Sequence, residues 1–143
     1  MDIKFFFATK AFIVNQDRKI LILRESQKYI DGVNQAKYDI VGGRLTPGEH
    51  FLDALRREIF EETGINDITI GKPFFVNEWR PVVKGEQWQI VGTFFECFTE
   101  TDDVTLSKDH DSYEWIDPKE YEKYSIIENL KKAFEAYNED RKS

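Results

Sequence analysis

The sequence predicts one α/β domain of mixed strands with few helices, spanning residues 1–143, on three observations. Several short segments are rich in β-branched and aromatic residues, which favours strands. Two other segments carry apolar residues three and four positions apart, which is typical of helices with one buried face. The length suits a single hydrophobic core, and no repeat, low-complexity tract or linker divides the chain.

The first half of the chain is predicted to form a hairpin, a third strand and the first helix. Turn residues at 15–18 separate two strand-like segments, and a polar loop is expected over 25–36. Gly64 is the expected end of the helix, because glycine readily takes the left-handed conformation that closes one. The predicted elements are strands over 5–14, 19–23 and 38–41, and a helix over about 49–63.

The second half is predicted to add two strands, an acidic loop and the last helix. Pro118 is expected to begin a short helical turn. Cys97 lies in an apolar strand pattern and is expected in the core, as is Trp115. The predicted elements are strands over 68–76 and 88–98, an acidic loop over 99–112 and an amphipathic helix over about 126–137.

Composition and charge limit the class of protein. The formal net charge of −7 argues against a protein whose main work is to bind nucleic-acid backbones. No apolar run approaches the roughly 20 residues of a membrane span, and we expect neither a membrane helix nor a signal peptide. Cys97 is the only cysteine, which excludes an internal disulfide and suits a reducing cytoplasm. We therefore expect a cytoplasmic protein that is a monomer or a homodimer.

Three glutamates near the end of the first predicted helix are its most unusual feature. Glu58, Glu61 and Glu62 are spaced i, i+3 and i+4, so their like charges crowd one helix face and destabilise it. Cβ atoms at this spacing lie about 5–6 Å apart, so the carboxylates can converge on one point. Mg²⁺ binds through carboxylates together with substrate phosphates. The spacing therefore favours a site for Mg²⁺ or Mn²⁺, and a solvated acidic face is the alternative.

An arginine and a pair of glycines accompany the glutamates. Arg57 stands directly before Glu58 and is expected to hold either Glu49 or Glu58 in position. Gly42 and Gly43 lie in the segment that precedes the helix, and glycine lets the backbone approach a ligand closely. A site for a phosphate-bearing ligand is expected between the glycine pair and the glutamates of the helix.

The full spacing of this stretch resembles a known family signature. Gly43 is followed after five residues by Glu49, and after seven more by the run REIFEETGI at 57–65. This pattern is similar to the signature of the Nudix hydrolases at every defined position. The resemblance implies a magnesium-dependent enzyme that hydrolyses a nucleoside diphosphate linked to another moiety.

The resemblance extends from the signature to nearly the whole chain. The hairpin KAFIVNQDRKILILRE and the lead-in YDIVGGRL look like the opening strands of the family, where proline often replaces Val41. The segment SKDHDSYEWIDPKEY resembles the family segment in which an acid–histidine pair precedes a tryptophan and a small helix. The implied fold is the Nudix fold, a mixed sheet between helices in an α/β/α sandwich.

The family pattern also implies roles for the matching residues. Arg57 and Glu49 match the pair that braces the catalytic helix. A carboxylate takes the proton as water attacks phosphorus; Glu58 or Glu62 is our first choice for this base, and Asp109 is the second. The implied metal ligands are Glu58, Glu62, Glu61 and the backbone carbonyl of Gly42 or Gly43.

Other residues are candidates for contact with the substrate. Arg24 and Arg44 flank the predicted phosphate pocket, with a plain surface charge as the alternative for each. His110, beside Asp109, is either near the site or a solvated loop residue. Aromatic side chains can stack on a base, although most aromatic residues belong to cores. The candidates for stacking are Trp79, Trp88 and Tyr38.

The substrate itself is the least determined part of the prediction. A compact chain of this size resembles the nucleoside triphosphate pyrophosphatases of the MutT type, so we expect nucleoside triphosphates, including oxidised or noncanonical ones. Pro81 resembles a position in many ADP-ribose pyrophosphatases, but its surroundings do not. ADP-ribose, nucleotide sugars, dinucleoside polyphosphates and capped RNA are the alternatives. A non-catalytic nucleotide-binding module is a further alternative, against which the intact carboxylates argue.

Overall fold

The structure, a computed structural model, describes residues 2–26 and 36–141. Its helices and strands confirm the predicted α/β class. Within these residues, no helix has both the length and the apolar character needed to cross a membrane. The elements are β1 (Ile3–Val14), β2 (Ile20–Glu25), β3 (Tyr38–Asp39), β4 (Val41–Arg44), α1 (Phe51–Thr63), β5 (Thr69–Trp79), β6 (Val82–Val83), β7 (Glu86–Phe98), β8 (His110–Ile116), a 3-10 helix (Pro118–Lys123) and α2 (Glu128–Asp140).

The strands form one mixed sheet in the order β3-β2-β1-β7-β5, with β4 paired to β1, β6 to β7 and β8 to β2. The long central strands β1 and β7 run parallel along their whole length. β1 pairs antiparallel with β2 only at Val14 and Ile20, and then pairs with β4 instead. In that second pairing Thr9 lies opposite Gly43 and Lys10 lies opposite Gly42. The change of partner brings the two glycines to the middle of the sheet.

Two hydrophobic cores cover the two faces of the sheet, because alternate residues of a strand point to opposite sides. Ala11 and Ile13 of β1 belong to the core beneath α1. Phe12 and Val14 belong to the core beneath α2. The helices bury Leu55 and Ile59 from α1, and Leu130, Ala133 and Phe134 from α2. The arrangement is an α/β/α sandwich with α1 and α2 on opposite faces.

Several predicted boundaries differ from the structure. The strand expected over 38–41 is two strands, β3 and β4, which are separated at Ile40. The acidic loop expected over 99–112 ends earlier, because His110 already pairs with Glu25 of β2. The last helix begins at Glu128 rather than near residue 126. Residues 27–35 of the predicted polar loop lie outside the described residues. Each boundary depends on pairing between distant segments, which local patterns do not report.

The expectations for the two core residues have different outcomes. Cys97 is fully buried beneath α1, as predicted, and burial raises the pKa of its thiol to about 12. Trp115 is only partly buried against the same core. Its indole Nε1 donates a hydrogen bond to the carbonyl of Asp102, which holds the ring at the edge of the core.

Candidate active site

Helix α1 presents its glutamates to the sheet in a fixed position. His50 caps the helix, since its ring nitrogen accepts a hydrogen bond from the N–H of Leu52. At the other end, Gly64 takes a φ of 75° and its N–H bonds to the carbonyl of Phe60. Leu55 and Ile59 anchor the helix in the core. The predicted helix therefore begins at Phe51, and Glu49 lies just before it.

Arg57 joins the acidic residues of α1 into one group. Its Nε and Nη2 donate to the two carboxylate oxygens of Glu49 at 2.8 and 3.1 Å. Its Nη1 donates to Glu58 at 3.0 Å and to Glu61 at 3.3 Å. The hydrogen bonds to Glu49 are the main reason that the pKa of Arg57 is raised, and they lower the pKa of Glu49 in turn. We call Arg57 with Glu49, Glu58, Glu61 and Glu62 the carboxylate cluster.

Glu58 and Glu62 form the inner part of the carboxylate cluster. A Cβ atom on Gly43 would lie 2.8 Å from a carboxylate oxygen of Glu58, so only glycine leaves room for that side chain. The carboxylates of Glu58 and Glu62 lie close together, and the pKa of Glu62 is raised by burial and then by its interaction with Glu58. Two carboxylates in contact favour retention of a proton unless a cation lies near them. This oxygen-rich pair beside the backbone of Gly43 fits a hard divalent cation such as Mg²⁺ or Mn²⁺.

Glu61 does not join the inner pair. Its side chain is 56% exposed and its hydrogen-bond partner is Arg57. Residues 61 and 62 are one step of about 100° apart around a helix of 3.6 residues per turn, so they face different directions. Among residues 2–26 and 36–141, no three acidic, histidine or cysteine side chains already surround one point as metal ligands would. The expected convergence of all three glutamates is therefore not met in this structure.

Lys10 and Asp39 extend the site across the sheet, and the sequence interpretation missed both. The Nζ of Lys10 lies 3.1 Å from Oδ2 of Asp39, and only 12% of the lysine side chain is exposed. The charge of Lys10 acts to lower the pKa of Glu62, against the effect of burial. A sequence signal existed, because Lys10 stands between the apolar residues Ala8 and Phe12 on one face of β1.

His110 and Asp109 lie at the start of β8, beside this group. The pKa of His110 is lowered mainly by burial, while the charges of Asp39 and Asp109 raise it and that of Lys10 lowers it. The imidazole Nδ1 is buried without a hydrogen-bond partner among the described residues. Within those residues, no hydrogen bond joins the Asp109 carboxylate to Glu58 or Glu62.

A cavity of about 480 Å³ opens on the α2 face of the sheet, next to Lys10 and Asp39. Trp79 and Trp88 line it together with Asn129 of α2. A Cβ atom on Gly92 would lie 2.6 Å from the Trp79 ring, so this glycine makes room for the indole. We call this space the aromatic cavity; its remaining lining residues are Arg80, Pro81, Val83, Ile90, Phe94, Ile127 and Leu130.

Arg44 stands between the aromatic cavity and the carboxylate cluster. Its guanidinium lies 4.6 Å from the ring centres of both Phe6 and Trp88, in a cation–π arrangement. It also lines a cleft together with Gly43 and Glu58. The structure therefore places Arg44 beside the carboxylate cluster, and Trp79 and Trp88 in the wall of the aromatic cavity. Their contact with a substrate stays a prediction.

Arg24 and Tyr38 are not brought into these spaces. Arg24 pairs with Asp111 at 2.7 Å, and the hydrogen bond to Asp111 is the main reason that its pKa is raised. The Tyr38 ring lies edge-on to Tyr124 at 6.3 Å and packs against the core beneath α2. Neither residue lines the aromatic cavity or the cleft beside Glu58. The expectation that they contact the substrate is therefore not supported by their position.

A larger cavity, of about 670 Å³, lies near the turn between β1 and β2. Its lining includes residues 15–19 together with Glu96, Tyr137 and Arg141. It shares no lining residue with the aromatic cavity and none with α1. We call it the turn cavity. Because it lacks contact with the carboxylate cluster, size alone does not make it the candidate site.

Known proteins resemble this chain in sequence and in fold. A family model for the NUDIX domain matches residues 4–137. The nucleoside triphosphatase NudI of Salmonella arizonae is 30% identical over 104 residues, which cover 66% of this chain and 72% of that protein. The NudI of Escherichia fergusonii is 28% identical over 102 residues, with the same coverage.

Solved structures show the same fold at lower identity. The MutT protein of Methanosarcina mazei superposes with a TM-score of 0.86 at 23% identity, covering 100% of this chain and 99% of that one. The Ap4A hydrolase of C. elegans gives a TM-score of 0.68 at 20% identity, covering 93% and 95%. The fold is thus the Nudix fold that the signature implied. With the family model spanning almost the whole chain, the protein belongs to the Nudix hydrolase family.

Proposed function

We propose that the protein hydrolyses a phosphoanhydride bond of nucleoside triphosphates with the help of Mg²⁺ or Mn²⁺. The observation that carries this proposal is that the Glu58–Glu62 pair lies next to the aromatic cavity. Lys10 connects the two, because its charge acts on Glu62 and its side chain lines the cavity. A nucleotide has a charged phosphate chain at one end and an aromatic base at the other. The two parts of the site have the matching chemistry.

At the phosphate end, Glu58, Glu62 and the backbone of Gly43 would hold the cation, with Glu61 acting through water. A bound divalent cation would neutralise charge on the phosphates and lower the pKa of a bound water molecule. Arg57 keeps the Glu58 carboxylate in place through its hydrogen bonds. Arg44 offers guanidinium donors to a phosphate oxygen at the edge of the cleft.

A carboxylate of this site accepts the proton of the attacking water in our proposal. Glu58 or Glu62 is the first choice, because both carboxylates belong to the pair beside which the cation and its bound water would lie. Asp109 remains the second choice, and no hydrogen bond links its side chain to Glu58 or Glu62 within the described residues.

At the nucleoside end, Trp79 and Trp88 offer ring faces to a base, and the Asn129 amide offers one donor group and one acceptor. Stacking on an aromatic ring is worth about 1–3 kcal/mol per base and tolerates any base. The walls of the cavity therefore favour a nucleoside without dictating which one. Base preference would depend on the polar groups of Asn129, Lys10 and Asp39.

The names of the relatives favour triphosphates over the other substrates considered. Both NudI proteins are described as nucleoside triphosphatases, at 28–30% identity. The structures of an Ap4A hydrolase and of a NUDIX domain with ADP-ribose share the fold at 20% and 10% identity, which informs the fold alone. We include in the proposal a single domain and a cytoplasmic location, which the lone buried cysteine favours.

The proposal is tested by incubating the protein with Mg²⁺ and a panel of nucleotides, and measuring released phosphate and pyrophosphate. The panel contains normal and oxidised nucleoside triphosphates, ADP-ribose, nucleotide sugars and dinucleoside polyphosphates. We expect the highest kcat/KM for a nucleoside triphosphate and loss of nearly all turnover in Glu62→Gln. Failure to cleave any compound would contradict the enzyme assignment. Preference for ADP-ribose or a dinucleotide would replace the substrate and keep the reaction class.

A further inference from the structure

We propose that Lys10, on strand β1 of the sheet, binds the phosphate group next to the nucleoside. This proposal rests on the proposed function. The residue lies outside the signature and was not among the sequence-derived candidates. Its ammonium sits where the aromatic cavity meets the inner carboxylates. A phosphate chain that leaves a nucleoside in the cavity and extends to Glu62 must pass beside it.

The backbone is shaped to let this lysine cross the sheet. Lys10 lies directly opposite Gly42 in the pairing of β1 with β4. A Cβ atom on Gly42 would lie 2.8 Å from Cδ of Lys10 and 2.4 Å from the carbonyl oxygen of Thr9. The lysine stem therefore runs across the space that a side chain at position 42 would fill. Because glycine has no side chain, the lysine can extend past β4, and its ammonium contacts Asp39 on β3.

The ammonium has donors left for a ligand. Asp39 accepts its one hydrogen bond to the described residues, at 3.1 Å. An ammonium group has three donors, so the described residues leave two of them unbonded. Only 12% of the side chain is exposed, so solvent has little access to the group. A buried cation with unused donors at the wall of a cavity is suited to an anionic oxygen of a ligand.

The competing interpretation is that Lys10 only balances the charges of Asp39 and Glu62. Such a lysine would stabilise the fold and make no direct contact with a phosphate group. The two interpretations differ in a measurable way. A lysine that contacts phosphate strengthens the binding of a nucleoside monophosphate relative to its nucleoside, whether or not Asp39 is charged. A lysine that only balances charge acts through the uncompensated charge that its loss leaves on Asp39, so the double variant Lys10→Met with Asp39→Asn would regain the affinity for the monophosphate.

The test compares wild type with Lys10→Met in the presence of a chelator, so that neither a metal ion nor hydrolysis contributes. Affinities for adenosine, cytidine, guanosine and uridine, and for their 5′-monophosphates, are measured by calorimetry. Lys4→Met is the matched control, because Lys4 lies on the same strand and pairs with Glu86 at the surface. Thermal unfolding confirms that each variant is folded, and Lys10→Gln replaces Lys10→Met if the latter is not.

We expect Lys10→Met to weaken the binding of the preferred monophosphate roughly ten- to a hundredfold, the range for a hydrogen bond between charged groups. The affinity for the nucleoside should change less than about twofold, within the range usual for a surface change. Lys4→Met should alter neither. An equal loss for both ligands, no loss for either, recovery of the monophosphate affinity in the double variant, or absence of monophosphate binding in the wild type would overturn the proposal. The proposed function is judged separately, by turnover on the nucleotide panel.

Discussion

The carboxylate cluster and the aromatic cavity, the two ends of the proposed site, are built from very different amounts of chain. All five side chains of the cluster come from residues 49–62, on one helix and the residue pair before it. The cavity draws on β1, β3, β5, β7 and α2, which span the chain from Lys10 to Leu130. The reactive end is therefore encoded locally, while the recognition end exists only after the chain has folded.

This difference separates the tasks of the two ends. The cluster keeps its geometry through Arg57, whose side chain is about one-third exposed, so its ion pairs add little to stability. Their effect is to orient Glu58. The cavity is held by buried apolar packing beneath α2, and its shape depends on small residues such as Gly92. Changes at the first end should act on kcat, and changes at the second on KM.

The largest effect is expected within the carboxylate cluster. Glu58→Gln and Glu62→Gln remove the charge that would hold the cation, so kcat should fall by about 10³-fold or more, equivalent to several kcal/mol. Glu61→Gln is the matched control on the same helix, and its exposed position predicts a loss below about tenfold. The measurement is steady-state kinetics on the best substrate with Mg²⁺. Equal losses in all three variants would contradict the division between inner and outer glutamates.

The next effect concerns the backbone that faces Glu58. Gly43→Ala places a Cβ atom 2.8 Å from the Glu58 carboxylate, so the side chain must shift. We expect kcat to fall by about 10²-fold, because a misplacement of about 1 Å at a reacting centre has that effect. The affinity for the nucleoside alone should stay unchanged. If the variant turns over normally, the close contact between Gly43 and Glu58 is not required.

A smaller effect is expected in the aromatic cavity. Gly92→Ala forces the Trp79 ring away from its present place, since the new Cβ would lie 2.6 Å from it. KM should rise by about tenfold, from loss of part of a stacking contact, with kcat little changed. Trp79→Ala should give the same pattern. A fall in kcat without a rise in KM would contradict the role of Trp79 in binding the base.

The smallest effect concerns stability and pH at the edge of the site. Burial lowers the pKa of His110 in the folded chain, so the unfolded chain binds more protons below about pH 6.5, the ordinary value. The contribution of His110 to the free energy of unfolding should therefore be fully present above about pH 6.5. It should be lost as the pH drops through the lowered pKa that His110 has in the folded chain. His110→Gln should reduce this loss of stability. The measurement is the free energy of unfolding in urea at several values between about pH 5 and pH 8, the range in which histidine changes charge.

The sequence predicted the cluster better than the cavity for a physical reason. Spacing along a helix determines which side chains share a face, so it indicated the three glutamates together, and the family resemblance then gave most weight to Glu58 and Glu62. That the Glu61 side chain points outward could be seen only once the orientation of α1 against the sheet was known. Asn129 and Asp39 gave no local signal, because Asn129 reaches the cavity only through the packing of α2 on the sheet, and Asp39 only through the order of strands within the sheet. The alternation in β1 could have revealed Lys10, a charge among inward-facing apolar positions.

The central claim is that the base of a nucleotide occupies the aromatic cavity while its phosphates reach α1. The direct measurement uses the nucleotide that the enzyme hydrolyses fastest, with a photoreactive azido group on its base. After irradiation, the labelled residues are mapped by mass spectrometry. We predict labelling of the segments around Trp79, Trp88 and Asn129, which line the aromatic cavity. Labelling of residues 15–19 or Arg141, in the turn cavity, would contradict the account.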